Sequence, residues 1–282
     1  MPIIDTRGAS LFYTREGSGP PLLMIQGVGA AGSAWRPQAE ALAAHYTVVA
    51  FDNRGMGQSR ILDGRLTIED MAADALAIMD GLGFARFHVA GHSMGGIIAQ
   101  ALALAAPGRV LSLAFLCTFV RGRDGSKVTL PMLATALRMR IGTRAMRRNA
   151  FLSLIMPDRY LREIDRVELA GRLHPLFGHD LAEQPPIAMK QLRAMSKYDA
   201  GARLGELAPI PTLVVAASED RIAQPASNRA LAGAIPGATY VELADSGHGV
   251  TIHRAEEVNR VLLDHLARAG AAQTATVHRR ST

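Results

Sequence analysis

The residues from Gly91 to Gly95 place a serine where its hydroxyl could act as a nucleophile. The pentapeptide Gly-His-Ser-Met-Gly follows an apolar run, Phe87–Ala90, and precedes a stretch of small apolar residues, Gly96–Ala105. This pattern predicts a sharp strand-to-helix turn, and glycines suit such a turn because it leaves no room for a Cβ atom. The turn would expose the Ser93 hydroxyl and point the Met94 amide at a reacting oxygen. A glycine-rich connection without chemistry is the alternative.

A serine hydroxyl needs a base that removes its proton, and the base needs a partner that fixes its tautomer. His248 lies between two glycines just after the apolar run Thr239–Leu243. Asp220 comes just after another run, Thr212–Ala217. Both residues, like Ser93, therefore belong to loops that leave the carboxyl ends of predicted strands. We predict His248 as the base and Asp220 as the group that orients it.

Other acids and histidines compete for these roles. Glu219 is adjacent to Asp220, and Asp199 is a more distant alternative. We prefer Asp220 because its shorter side chain suits an orienting carboxylate. Of the nine histidines in the chain, His253 and His265 fit the surface of predicted helices.

A tetrahedral intermediate also needs two preorganised hydrogen-bond donors for its negative oxygen. The Met94 amide would supply one of them. The loop Gln26–Ala30 is rich in glycine and follows a predicted strand, so its backbone can approach a substrate closely. We predict the Val28 amide as the second donor of this oxyanion hole and Gln26 as a substrate-binding residue.

The elements that must position these residues alternate between strand-like and helix-like segments, which predicts an α/β fold with a mostly parallel sheet. The predicted strands span residues 21–26, 46–51, 87–90, 111–117, 212–217 and 239–243. The predicted helices span residues 35–44, 67–82, 96–105, 226–234 and 255–269. Thr67 is the expected N-cap of the second helix.

The alternation stops between residues 118 and 196, where the periodicity is helical. We predict a helical insertion over the carboxyl edge of the sheet, where ligands bind in open α/β folds. Its methionines could line an adaptable pocket, although core packing is the simpler role for any one of them; they are residues 132, 139, 146, 156, 189 and 195. The insertion also contains a basic cluster, which comprises Arg138, Arg140, Arg144, Arg147 and Arg148. We expect this cluster to form a solvated helix face. The alternative is that it attracts a substrate or leaving group that is anionic.

Composition excludes several other classes of function. The net charge is +6, but the basic residues outside the arginine cluster are scattered and the few aromatic residues do not interleave with that cluster, so we predict no nucleic-acid partner. No signal peptide and no uncharged apolar run long enough to span a bilayer are evident, so we predict no membrane partner. The single cysteine, Cys117, fits a reducing compartment and a cytoplasmic location. Neither metal-ligand spacing nor a dinucleotide fingerprint appears, so no metal and no cofactor are expected. The sequence leaves open whether the chain forms a homo-oligomer.

Five motifs resemble, in order, those of the α/β-hydrolase superfamily, particularly bacterial esterases and 3-oxoadipate enol-lactonase-like hydrolases. They are IQGVG, FDNRGMGQS, VAGHSMGG, APIPTLVVAASEDRI and DSGHG. The resemblance implies the α/β-hydrolase fold, with helices flanking the sheet and a helical cap inserted after the sixth strand. We therefore expect a core of residues 1–117 and 197–270, a cap of residues 118–196 and a flexible tail of residues 271–282.

The resemblance also implies a catalytic triad in the order Ser93, Asp220, His248 and hydrolysis of a small carboxylic ester or lactone through an acyl-enzyme. Carbon–carbon bond hydrolysis of a diketone-like substrate, a cofactor-free lyase or perhydrolase reaction, and a non-catalytic ligand receptor are the alternatives. Gln26 stands where the family commonly has histidine. Arg54 is expected to be structural.

Overall fold

The computed structural model describes residues 2–126 and 130–280, in which one nine-stranded sheet forms the centre. Its strands are β1 (Ile3–Asp5), β2 (Ala9–Glu16), β3 (Pro21–Ile25), β4 (Thr47–Phe51), β5 (Arg60–Ile61), β6 (Phe87–His92), β7 (Val110–Leu116), β8 (Thr212–Ala217) and β9 (Thr239–Leu243). They are ordered β1-β2-β4-β3-β6-β7-β8-β9, and β5 pairs with β2. From β4 to β9 in this order all pairs are parallel, which confirms the predicted mostly parallel sheet.

The strands β1, β2 and β5 were not predicted from the sequence, and they pair antiparallel at one side of the sheet. Residues of these strands are partly exposed, whereas every residue of β4, β6 and β8 is buried. Continuous apolar runs mark only strands that are covered on both faces. Such runs therefore mark the parallel centre of the sheet and not its antiparallel side.

Helices flank the sheet and fill the long connection between β7 and β8. They are α1 (Arg36–Leu42), α2 (Ile68–Gly81), α3 (Met94–Ala105), α4 (Leu130–Arg138), α5 (Arg144–Ile155), α6 (Asp158–Glu163), α7 (Arg166–Phe177), α8 (Ala188–Lys197), α9 (Pro225–Ala234), α10 (Val250–His253) and α11 (Ala255–Arg280). The predicted cap of α2 is confirmed, since the Thr67 hydroxyl accepts a hydrogen bond from the Asp70 amide at 3.0 Å. Within the described chain, no helix combines the length and apolarity needed to cross a bilayer.

The helices α4 to α8 lie within or overlap residues 118–196, here called the cap segment. It follows the seventh strand in chain order and not the sixth, because the two-residue strand β5 adds one to the count. The cap segment has a hydrophobic cluster of its own, separate from the core cluster around the sheet, with Leu152, Leu161 and Leu173 among its buried members. Its treatment as a separate domain stays a prediction.

The last helix extends further than expected. α11 continues to Arg280, so the predicted end at residue 269 is wrong. Residues 271–280 contain no proline and include three alanines, the best helix former, so the helix can continue past Gly270. The flexibility of residues 271–282 stays a prediction, and residues 281–282 lie outside the described chain.

Candidate active site

Ser93 occupies a sharp turn between the end of β6 and the start of α3. Its φ of 55° and ψ of −121° are strained for a residue with a side chain. A Cβ atom at Gly91 would overlap the Gly95 carbonyl oxygen, and one at Gly95 would overlap the Ile25 carbonyl oxygen. Both glycines are therefore required by space, as the sequence predicted.

Hydrogen bonds hold the strained turn in place. The Ser93 amide donates to the Leu116 carbonyl at 2.9 Å. The Ser93 carbonyl accepts from the Gly96 amide at 2.9 Å and from the Thr118 hydroxyl at 2.7 Å. The backbone is thus fixed on both sides, so the hydroxyl is presented in one direction.

The structure brings Ser93, His248 and Asp220 together in one chain of hydrogen bonds. His248 Nε2 lies 3.0 Å from Ser93 Oγ, and His248 Nδ1 lies 2.7 Å from Asp220 Oδ2. An ionised carboxylate can only accept, so Nδ1 carries the proton and Nε2 is free to accept one from the serine. All three residues are buried, with exposed fractions of 7% for Ser93, 7% for His248 and 3% for Asp220.

The surroundings of Asp220 keep its carboxyl group ionised. Burial alone would raise the pKa of this group, but the facing His248 ring and the amides of Ile222 and Ala223 outweigh burial and lower its pKa. The two amides donate to Oδ1 at 2.7 Å and 2.8 Å, which leaves Oδ2 for His248. The carboxylate therefore has a partner for each oxygen.

The alternative acids lie elsewhere. Glu219 is exposed to solvent, although it neighbours Asp220 in the chain. Asp199 is also exposed, accepts a hydrogen bond from the Gly201 amide at 2.9 Å and pairs with Arg123 at 3.4 Å. Neither is placed to orient His248.

His92, which the sequence analysis did not single out, packs directly against His248. The two ring centroids are 4.8 Å apart, and His92 Nε2 lies 2.9 Å from the His248 carbonyl, to which it donates. Burial lowers the pKa of His92 to about 3. His92 is therefore neutral at physiological pH and adds no positive charge beside His248. Its place within the Gly-His-Ser-Met-Gly motif is the signal that could have identified it.

Two other histidines were expected on helix surfaces. His265 is buried, so that prediction is wrong. His253 is half-buried and its Nδ1 lies 2.9 Å from the Gly249 carbonyl. Both helices turn these positions toward neighbouring elements, an orientation that residue type alone could not predict.

Two backbone amides next to Ser93 have no partner among the residues that the structure describes. Met94 is the first residue of α3, and within the described residues neither its amide nor that of Val28 donates to a protein acceptor. A Cβ atom on Gly27 would lie 3.5 Å from Ser93 Oγ, so the loop of residues 26–30 reaches the nucleophile. The two amides predicted for the oxyanion hole are thus free, and both belong to segments beside Ser93.

Gln26 is turned partly back on its own loop. Its Oε1 accepts a hydrogen bond from the Gly27 amide at 3.0 Å, and the residue is 2% exposed. Gln26 also lines the cavity above Ser93. The Oε1 atom is therefore engaged by the backbone, which leaves the Nε2 group as the part of this side chain that a substrate could contact.

A cavity of about 280 Å³ opens above Ser93 and His248, between the sheet and the cap segment. Apolar side chains from both parts of the chain line it, including Phe119, Phe151, Leu154, Phe177, Leu192 and Ile252. Among the methionines of the cap segment, Met139, Met189 and Met195 line the cavity, Met156 is buried and Met146 is exposed. The Met132 side chain lies outside the described part of the chain.

Few of the arginines reach this cavity. Arg140 lines it, whereas Arg144 pairs with Asp180 and Arg147 donates to the Ala182 carbonyl at 3.0 Å. Arg54 is buried in a bidentate ion pair with Asp74, which is the structural environment expected for it.

His92, Cys117 and His248 offer ligand atoms within 4.8 Å of one another, a spacing that could hold a metal ion. Both ring nitrogens of His248 already have partners in Ser93 and Asp220. Burial raises the pKa of the Cys117 thiol well above its ordinary value, which disfavours the thiolate that binds metal. This cluster therefore fits a hydrogen-bonded catalytic site better than a metal centre.

Comparison with known proteins agrees with the fold. The model of the alpha/beta hydrolase fold family matches residues 20–254. A protein of Azorhizobium caulinodans that bears the provisional name carbamate hydrolase RutD is 32% identical over 263 residues, which cover 93% of this chain and 97% of that protein. The enol-lactonase from Burkholderia xenovorans LB400 is 29% identical, with a TM-score of 0.78 over 94% of this chain and 100% of its own.

A third relative has a different name again. The structure of BpoC from Mycobacterium tuberculosis H37Rv, provisionally named a non-heme bromoperoxidase, is 27% identical, with a TM-score of 0.78 over 92% of this chain and 96% of its own. The predicted resemblance to α/β-hydrolases is confirmed. The names of the relatives cover three reactions on one scaffold.

Proposed function

Because the chain belongs to the α/β-hydrolase fold family, we propose that it is a serine hydrolase that cleaves a small carboxylic ester or lactone. The observation that carries this proposal is the continuous chain of hydrogen bonds from Ser93 through His248 to Asp220. This hydrogen-bonded chain lies beside the free amides of Val28 and Met94, and Ser93 and His248 line an apolar cavity. Each of these parts is needed for acyl transfer.

In the first half-reaction, Ser93 Oγ attacks the carbonyl carbon of the substrate while His248 Nε2 takes the hydroxyl proton. The carbonyl oxygen becomes negative and is held by the amides of Val28 and Met94. Asp220 stabilises the imidazolium that forms. Collapse of the intermediate breaks the carbon–oxygen bond, and His248 returns its proton to the leaving alkoxide. An acyl-enzyme on Ser93 remains.

In the second half-reaction, a water molecule donates a proton to His248 Nε2 and its oxygen attacks the acyl carbon. A second negative oxygen forms at the same two amides. Collapse breaks the bond to Ser93 Oγ, which recovers the proton from His248, and the carboxylic acid leaves. With a lactone, alcohol and acid are the two ends of one product.

The lining of the cavity supports an apolar acyl group of modest size, because aromatic and aliphatic side chains surround most of it. We expect Gln26 Nε2 to contact a polar atom of the substrate. Arg140 is the member of the arginine cluster that could attract an anionic substituent, and such attraction would weaken as salt is added. The enol-lactonase relative supports including lactones with esters in the proposed substrate range, and the carbamate hydrolase name adds carbamates as carbonyl substrates to be assayed.

Replacement of the nucleophile tests the proposal. We expect Ser93→Ala to abolish turnover of a short-chain aryl ester, with the fold intact by circular dichroism. The matched control is Ser227→Ala, a half-buried serine in α9 that does not line the cavity. Turnover by Ser93→Ala at the wild-type rate would refute the proposal.

A substrate panel separates the competing chemistries on the same scaffold. Faster turnover of a vinylogous diketone than of any ester or lactone would favour carbon–carbon bond hydrolysis. Failure of a fluorophosphonate probe to label Ser93 would favour a ligand receptor. A cytoplasmic location and the absence of nucleic-acid and membrane partners are part of the proposal, supported by the single cysteine and the scattered charge.

A further inference from the structure

The loop that carries the Val28 amide is fixed at its two ends by the core of the protein. Asn53 Nδ2 donates to the Gln26 carbonyl at 2.9 Å. The Gly32 amide donates to Asp52 Oδ1 at 2.7 Å. The two donors and the two acceptors all lie in the loops that follow β3 and β4. The sheet therefore sets where the loop begins and ends.

The middle of the loop is held by the cap segment instead. The Gly29 amide donates to Gln191 Oε1 of α8 at 2.9 Å, and the Gly29 carbonyl lies 2.9 Å from His179 Nε2. The Ala31 amide donates to the Phe177 carbonyl at the end of α7 at 3.2 Å. Among the described residues, the only core group that bonds to the backbone of residues 28–31 is the local turn amide of Ala34.

We infer that Gln191 and His179 are positioning residues that set the direction of the Val28 amide, so that the oxyanion hole is complete only when the cap segment is seated on the loop. The inference rests on the proposed function. Gly29 has a φ of 68°, in the left-handed region, and each of its two peptide groups contacts a side chain of the cap segment at 2.9 Å. The Val28 carbonyl belongs to the first of these peptide groups, so holding that group limits the rotation of the Val28 backbone and, through it, the direction of the Val28 amide.

The chemistry of the two side chains supports this role. Gln191 is fully buried, yet its Nε2 group has no hydrogen-bond partner in the described chain. Burial of an unpaired donor is unfavourable, so packing alone would be better served by an apolar residue. The favourable contact that Gln191 makes is the one from its Oε1 to Gly29.

His179 also uses its ring on the loop. A carbonyl oxygen only accepts, so this contact is a hydrogen bond when Nε2 carries a proton, which the ring then donates to the Gly29 carbonyl. Its Nδ1 lies 2.9 Å from the Asp180 carbonyl, a second acceptor. A neutral ring can satisfy one of these two carbonyls, and a protonated ring can satisfy both. Sequence reasoning could not find either residue, since Gln191 and His179 lie 162 and 150 positions from Gly29.

The test compares Gln191→Met, which removes the acceptor at similar size, with Gln191→Glu, which keeps an acceptor. Lys190→Met is the matched control, because Lys190 is the exposed neighbour on the same helix. The readouts are kcat and KM on a neutral aryl ester, and the inhibition constant of an aryl trifluoromethyl ketone. Addition of Ser93 Oγ to that ketone transfers the hydroxyl proton to His248 and leaves an oxyanion in the hole.

We expect Gln191→Met to lower kcat by ~10- to 100-fold, as a small misplacement of a catalytic group does, with little change in KM. The inhibition constant of the ketone should rise by the same factor, while Gln191→Glu should recover much of the loss. His179→Phe removes the bond to the other peptide group of Gly29, so it should give a similar loss that is less than additive with Gln191→Met.

Unchanged kcat in both Gln191→Met and His179→Phe would overturn the inference. So would a loss confined to KM, or a loss of kcat with no change in the inhibition constant of the ketone. If Gln191→Met does not fold, kcat and the ketone inhibition constant of His179→Phe alone test the inference. If only this inference fails, turnover by the wild-type enzyme still depends on Ser93. If the proposed function itself fails, turnover does not depend on Ser93.

Discussion

Asp220 and Glu219 are neighbours in the sequence but have opposite surroundings. Asp220 is buried and bonded to His248, whereas Glu219 faces solvent. The residue types and their places after predicted strands were enough to propose Ser93, Asp220 and His248. The two amides that lower the Asp220 pKa could not be predicted, because they depend on how the following turn folds.

We predict that Asp220→Asn lowers kcat by about 10⁴-fold, the loss expected when the base is left in the wrong tautomer. The asparagine can donate to Nδ1, so the proton moves to Nε2 and His248 can no longer accept one from Ser93. Steady-state kinetics on an aryl ester measure the effect. Glu219→Gln is the control and should keep wild-type kcat. A large loss in Glu219→Gln with none in Asp220→Asn would contradict the assignment.

At the scale of elements, the strand-to-helix turn was the most predictable part of the site. Its glycines, the apolar strand before it and the small residues after it all appear within a short stretch of sequence. The antiparallel strands β1, β2 and β5 were not predictable in the same way, because partly exposed strands lack a continuous apolar signal. The cap helices were predicted as helices, but their contacts with the loop of residues 26–30 were not.

We predict that Gly95→Ala destabilises the protein by about 1–3 kcal/mol, the usual cost of overpacking. The added Cβ would overlap the Ile25 carbonyl oxygen, so α3 must move away from β3 and take the Met94 amide with it. Urea unfolding and kcat should both report the change.

Gly171→Ala is the matched control for this substitution. Gly171 lies in α7, is exposed, and a Cβ atom there meets nothing within 4 Å. Alanine should therefore stabilise the protein by roughly 0.5–1 kcal/mol, because it favours the helix interior. Equal effects of the two substitutions on the free energy of unfolding would contradict the close packing of the turn.

At the scale of the whole molecule, the fold buries histidines that must stay neutral. Burial, His265 and Arg86 together lower the pKa of His88 from 6.5 to about 4, and burial lowers that of His265 to about 4 as well. Well above pH 6.5 these rings are neutral in both the folded and unfolded chain. Below pH 6.5 the histidines of the unfolded chain take up protons, whereas those of the folded chain do not. The free energy of unfolding therefore falls as the pH is lowered from 6.5 to about 4.

We predict that His88→Gln flattens this dependence, because one group no longer titrates differently in the two states. The slope of the unfolding free energy against pH should shrink by up to about 1.4 kcal/mol per pH unit within that window. Urea unfolding at a series of pH values measures it, with the exposed His45→Gln as the control. An unchanged slope in His88→Gln would show that this ring is not held neutral by the fold.

The most direct test of the central claim is to trap the acyl-enzyme. Trypsin should release residues 87–109 as one peptide, FHVAGHSMGGIIAQALALAAPGR, in which Ser93 is the only hydroxyl-bearing residue. Rapid acid quenching during turnover of an activated ester, followed by mass spectrometry, should show this peptide heavier by one acyl group in the wild type and unmodified in Ser93→Ala. Steady turnover with no acyl adduct on this peptide at any quench time, under conditions where the second half-reaction limits the rate, would contradict the account.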